Sequence, residues 1–131
     1  MSALERLMLV EDDPDIRTVA GMALEVVGGY KVLACDSGAA ALEALAGFQP
    51  QLVLLDVMMP GMSGPDFLKA LRARPEHADL PVVFMTAKAQ AEELDALRKL
   101  GAADVIAKPF DPMTLAAQVG AVWERCDCAK P

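Results

Sequence analysis

Two periods of hydrophobicity alternate along this chain. Short apolar runs at Leu7–Val10, Tyr30–Ala34, Leu52–Leu55, Pro81–Met85 and Val105–Ala107 have the length and make-up of buried strands. Between them apolar residues recur every three or four positions. The first such set is Ile16, Val19, Ala20, Ala23, Leu24 and Val27; the second is Leu42, Leu45 and Ala46. Phe67, Leu68 and Leu71 form the third, Leu94, Leu97 and Leu100 the fourth, and Leu115, Val119, Val122 and Trp123 the fifth. That spacing belongs to helices with one buried face.

The punctuation agrees with the periods. Pro14 is tolerated in a first helical turn, and Gly28-Gly29 stops that helix. Ser37 caps the second helix, which closes near Gly47. Pro60-Gly61 and Ser63-Gly64-Pro65 make a loop that opens the third. The fourth runs from Gln90 to Leu100 and ends at Gly101, and Pro112 starts the last. The pattern is strand-helix repeated five times. Nearly continuous apolar strands separated by amphipathic helices predict a parallel sheet covered on both faces, an α/β fold with right-handed crossovers. At 131 residues the chain suits one domain, expected over residues 1–125, with 126–131 as a short tail.

Charge narrows the partners. Nineteen acidic residues against 12 basic give a net charge of −7, which opposes direct binding to nucleic acid or to anionic membrane. The apolar runs are far shorter than the ~20 residues of a spanning helix. Cys35, Cys126 and Cys128 are too few and too odd in number for a disulfide framework, so the chain is expected in a reducing cytoplasm. Cys126 and Cys128 lack the further ligands of a zinc site. Cys35 reads as a small strand hydrophobe and His77 as a solvated loop residue.

The polar residues that follow the strands carry the chemistry. Glu11, Asp12 and Asp13 follow the first strand, Asp56 ends the third, Thr86 follows the fourth and Lys108 follows the fifth. In an open α/β sheet these positions share one rim. Crowded carboxylates repel one another, and Mg²⁺ relieves that while keeping room for phosphate oxygens. Lys108 offers a point charge to an anion and Thr86 a hydroxyl donor. This set suits phosphoryl transfer, with a carboxylate as nucleophile. Plainer roles exist for each: Asp12 and Asp13 as caps of the first helix, Thr86 as a cap of the fourth, and Lys108 as a surface lysine.

Four stretches in order carry a family resemblance: Leu9-Val10-Glu11-Asp12-Asp13, Leu55-Asp56-Val57-Met58-Met59-Pro60-Gly61-Met62-Ser63-Gly64, Met85-Thr86-Ala87 and Lys108-Pro109-Phe110. Over essentially its full length the chain resembles the receiver domains of two-component response regulators. The resemblance implies a doubly wound (βα)5, flavodoxin-like fold with sheet order 2-1-3-4-5. It makes Asp56 the phosphoacceptor. Asp13, Asp56 and the backbone carbonyl of Met58 would hold Mg²⁺, with Asp12 acting through water. Lys108 would bind the phosphoryl group, Thr86 would close on it, and the Lys108–Pro109 peptide would be cis.

The resemblance also implies a partner on each side. A histidine kinase or histidine phosphotransfer protein would donate the phosphoryl group. A downstream protein would read the face made by the fourth helix, fifth strand and fifth helix. The domain would be a switch and not an enzyme, catalysing only its own Mg²⁺-dependent phosphorylation and dephosphorylation. The chain stops just past the fifth helix, which suggests a stand-alone receiver like the single-domain chemotaxis regulators, or the receiver piece of a longer regulator or hybrid kinase.

Two departures from the family pattern stand out. Many receivers carry an aromatic residue where this chain has Val105, and that ring turns inward with the switch hydroxyl. A stiff β-branched side chain cannot make that swing. Met58 and Lys88, two residues after Asp56 and Thr86, vary among receivers and are expected to tune the lifetime of the phosphorylated form. Other readings are a receiver-fold interaction module that is never phosphorylated, or a flavodoxin-type cofactor carrier. The acidic residues after the first strand would repel the phosphate that a flavodoxin cradles.

Overall fold

The computed structural model describes residues 3–87 and 90–129, with side chains described to Cys126. Five strands, β1 (Arg6–Val10), β2 (Lys31–Cys35), β3 (Leu52–Asp56), β4 (Val82–Thr86) and β5 (Asp104–Ala107), form one parallel sheet in the order β2-β1-β3-β4-β5. Helices α1 (Pro14–Met22), α2 (Gly38–Phe48), α3 (Gly64–Arg72), α4 (Ala91–Lys99) and α5 (Leu115–Ala129) connect the strands or follow the last. The expected order and parallel pairing are both present.

The period of two along each strand sorts the core into layers. Leu7, Leu9, Leu52, Leu54, Val83, Met85 and Ile106 pack with Leu24, Leu115, Val119 and Trp123 on the α1/α5 side. Met8, Val10, Val53, Leu55, Val82 and Phe84 pack with Leu45, Phe67, Leu71 and Leu97 on the α2/α3/α4 side. β1 and β3 are neighbours, and their connections leave in opposite directions. Their carboxyl ends therefore border the crevice where an α/β sheet places its site.

The helix ends refine the sequence reading. Asp13 caps α1, its Oδ1 accepting from the amides of Asp15 (2.9 Å) and Ile16 (3.2 Å). A π-helical turn, Ala23–Val27, prolongs α1 until Gly28. Ser37 caps α2 as expected, with its Oγ accepting from Ala40 N at 3.1 Å. That helix ends at Phe48, next to Gly47 as expected, and Gln49, which adopts φ 52°, is its C-terminal cap. Ser63 and Asp66 form a reciprocal capping box on α3. The last helix begins at Leu115, three residues after Pro112, because Asp111 closes a turn first: its carbonyl accepts from Thr114 and Leu115 and its Oδ1 from Met113. α5 runs to Ala129, past residue 125. At the opposite pole, Arg72 donates to the carbonyls of Leu80 (2.8 Å), His77 (3.4 Å) and Gly101 (3.4 Å). Among the described residues no helix is long and apolar enough to cross a membrane.

Candidate functional site

The strand period continues one residue beyond β1 and brings the site together. Glu11 N still donates to Cys35 O at 3.0 Å, so Glu11 stays in phase with Leu7 and Leu9. Asp56 is in phase with Leu52 and Leu54, and Lys108 with Ile106. All three meet on the α1/α5 side of the rim. Lys108 Nζ donates to Glu11 Oε2 at 2.9 Å and lies 3.0 Å from Asp56 Oδ1. Glu11 is 1% exposed and Asp56 5% exposed, so this ammonium is the counter-charge of two buried acids.

The electrostatics follow from that burial. Desolvation pushes the Glu11 carboxyl above the usual range; its bond to Lys108 pulls the other way, and Asp56 adds to the rise. Burial alone would lower the Lys108 ammonium, but its bonds to Glu11 and Asp56 prevail and hold it above the usual lysine range. Lys108 is also held by a main-chain hydrogen bond. Its amide donates to Thr86 O at 2.8 Å, and the Lys108–Pro109 peptide is cis, as expected.

Glu11, Asp12 and Asp56 each offer a carboxylate oxygen within 4.8 Å of the others. The donor set is entirely hard oxygen, which fits Mg²⁺. The expected ligand set was Asp13, Asp56 and the Met58 carbonyl, with Asp12 through water, and the cluster differs from it in one acid. Asp13 is exposed, and its carboxylate is committed to the first turn of α1, so Glu11 stands in the cluster in its place. Glu11 was among the rim acids by sequence but had no assigned role. A period of two would put Asp13 on the same face; what separates them is that Glu11 still bonds to β2 through Cys35 O, whereas Asp13 already caps α1. Arg17 closes the turn from below, its Nη1 donating to the carbonyls of Glu11 (2.9 Å) and Asp12 (3.4 Å).

The other expected residues divide between two clefts. Thr86 is buried and has the opposite phase, with Val82 and Phe84, so it lies toward α4. There it shares a recess with Val57, Met58, Glu93, Ala96 and Leu97. Met58 is 67% exposed and stands at the mouth of the site. Val105 pairs with Phe84 and is half-buried in the α2/α3/α4 layer, without an aromatic ring to turn. Lys88 lies outside the described residues. On the α1 side, Ile16, Val19, Ala87, Pro109 and Phe110 line an apolar cleft of about 450 Å³ that reaches Lys108.

Comparison with known proteins agrees with this geometry. Residues 7–120 match the family model of the response regulator receiver domain. The phosphate regulon transcriptional regulatory protein PhoB of Escherichia coli (strain K12) is 37% identical over 120 residues, which is 92% of this chain and 52% of that protein. The DNA-binding response regulator MtrA of Mycolicibacterium smegmatis is 36% identical over 121 residues, 92% of this chain and 51% of that one. The chain thus spans about half the length of the curated relatives it matches. Among solved structures, the chemotaxis response regulator CheY4 of Vibrio cholerae superimposes with a TM-score of 0.84 at 28% identity, covering 92% of this chain and 99% of that one. The receiver domain of a signal transduction histidine kinase from Syntrophus aciditrophicus gives 0.81 at 26% identity, covering 96% and 95%.

Proposed function

The chain belongs to the response regulator receiver domains, and on that premise we propose that it is a phosphorylation-controlled switch with Asp56 as the acceptor. The observation that carries this is the placement of Asp56. It is a nearly buried carboxylate at a strand's end, held 3.0 Å from a half-buried ammonium and beside two further acids. A carboxylate kept there only for stability would not need two acidic neighbours.

An Asp56 oxygen attacks phosphorus, the bond from phosphorus to the donor's imidazole nitrogen breaks, and an acyl phosphate forms. Lys108 transfers its contact from the free carboxylate to the phosphoryl oxygens. Thr86 turns its hydroxyl toward them and so carries the change to α4. Asp12, Asp56 and the Met58 carbonyl, with Glu11 beside them, are the groups that would hold Mg²⁺, whose charge offsets that of the phosphoryl oxygens. Met58 shields the product from water, and Lys88 with it sets the product's lifetime.

The donor is a phosphohistidine on a kinase or phosphotransfer protein, which reaches Asp56 over the apolar cleft beside Lys108. The face of α4, β5 and α5 then meets the downstream partner, in the cytoplasm. The test uses beryllofluoride with and without Mg²⁺, on wild type and Asp56→Asn. A Mg²⁺-dependent adduct in wild type alone is expected. No adduct in wild type would leave a passive interaction module as the function.

A further inference from the structure

The recess on the α4 side holds a group that phosphoryl transfer leaves unexplained. Val57, Met58, Thr86, Glu93, Ala96 and Leu97 line a cleft of about 360 Å³ between the β3–α3 loop and α4. Its walls are largely aliphatic. Glu93 stands in the first turn of α4, and its Oε2 is buried with no hydrogen-bond partner. Among the described residues no other buried side-chain nitrogen or oxygen is left this way. Acids suit the first turn of a helix, but that favours Glu92 and Glu93 alike and does not explain burying one oxygen of Glu93.

Folded proteins rarely leave such an oxygen unmatched, and an adjoining cleft gives the match a place to enter. The chemistry of the complement follows from the walls. A neutral apolar guest would leave Oε2 unpaired, and an anion would meet Glu93 and the acidic rim. A cationic head on an alkyl stem satisfies both features: the head donates N–H to the carboxylate and the stem lies on aliphatic carbon. We propose that this recess is a binding site for an alkylammonium or alkylguanidinium group, with Glu93 as its anchor and Met58, Ala96 and Leu97 as its walls. A lysine or arginine of a protein partner carries that group, and so does a free polyamine.

Thr86 lines this recess and also belongs to the rim beside Asp56. On the reading proposed above, occupancy of the recess and phosphorylation are therefore linked, each altering the other's equilibrium by the same factor.

The experiment is an NMR titration of protein labelled at methionine methyls and amides, with n-butylguanidinium as the probe and n-butanol as the neutral control. Saturable shifts at Met58, Ala96 and Leu97 are expected. Glu93→Gln should weaken binding about tenfold or more, while Glu92→Gln leaves it unchanged. Ala96→Leu, made at an exposed position, should fill the recess and abolish binding without relying on the fold of the Glu93 variant. Equal affinity in Glu93→Gln, equal response to n-butanol, or no saturation on the order of tens of millimolar overturns the site. So does a Lys88→Ala variant that binds about tenfold more tightly, since the chain's own lysine would then be the occupant. Competition by spermidine and by a capped lysine peptide separates the two sources. A repeat with Mg²⁺ and beryllofluoride tests the linkage. If the adduct forms and affinity does not change, the linkage fails. If no adduct forms, the phosphorylation reading fails while the cation titration stands.

Discussion

Gly64 lies against the main chain of Asp56. A Cβ built on it would stand 2.7 Å from the Asp56 carbonyl oxygen and 2.9 Å from Val57 Cα, distances at which backbone must move. The start of α3 is thereby pressed onto the acceptor strand, and the aim of Asp56 depends on a missing methyl group. Gly64→Ala is expected to cost about 2 kcal/mol of stability in urea unfolding, the usual penalty of an overfilled core. It should also slow beryllofluoride adduct formation. An alanine variant with wild-type stability and adduct rate would show that the loop yields freely.

Removing the ammonium from Lys108 should be costly in itself. Lys108→Met leaves Glu11 and Asp56 buried side by side without a cation. In EDTA the variant should lose about 3 kcal/mol, as broken buried pairs do. Adding Glu11→Gln should restore part of the loss, because one of the two charges is then gone. A double variant no more stable than Lys108→Met would remove charge as the cause.

Asp12 and Asp13 adjoin in sequence and should separate in experiment. Asp12→Asn is expected to weaken Mg²⁺ binding, followed by calorimetry, with little change in stability. Asp13→Ala should keep Mg²⁺ affinity and lose about 1 kcal/mol, the value of a helix cap. A reversal of the two outcomes would return Asp13 to the metal site.

Cys35 ends β2 beside Glu11 but turns its side chain into the α2/α3/α4 layer, and there it supplies a pH dependence of its own. Burial, and to a lesser degree Asp36, pushes its thiol above the ordinary cysteine range. The unfolded thiol ionises near pH 8.5 while the folded one stays neutral. The unfolded state then binds fewer protons, so stability present below that pH falls as pH rises. Cys35→Ala should flatten the decline between about pH 8 and 10 in urea midpoints. The folded thiol should also react slowly with a disulfide reagent at pH 8.

Much of this architecture was legible in the sequence. Leu52–Leu55 is apolar at every position because both faces of β3 are covered, and Gly101 marks the end of α4 through a φ of 110°. The capping role of Ser37 is local, and local chemistry reads well. What escaped was set by where an element ends or by distance. Glu11 and Asp13 differ by two residues, yet one continues the strand and the other already begins the helix. The turn at Asp111 gave a weaker signal than the nearby Pro112. The unpaired oxygen of Glu93 exists only after α4 has packed against the β3–α3 loop, and no spacing along the chain announces it.

Arg72 gives the sheet a fixed end. Its guanidinium ties the carbonyls of His77, Leu80 and Gly101, so the end of α3, the approach to β4 and the turn into β5 are held by one side chain. Thr86 stands at the other end of β4, five residues along. The strand is then a beam clamped at one end, and a push at its tip is absorbed at the tip. Amide exchange in the presence of beryllofluoride should change at Thr86 and Ala87 and remain constant at Val82. A signal arising at Asp56 thus has a short path outward, toward the surface where α4 begins, and a stiff wall behind it.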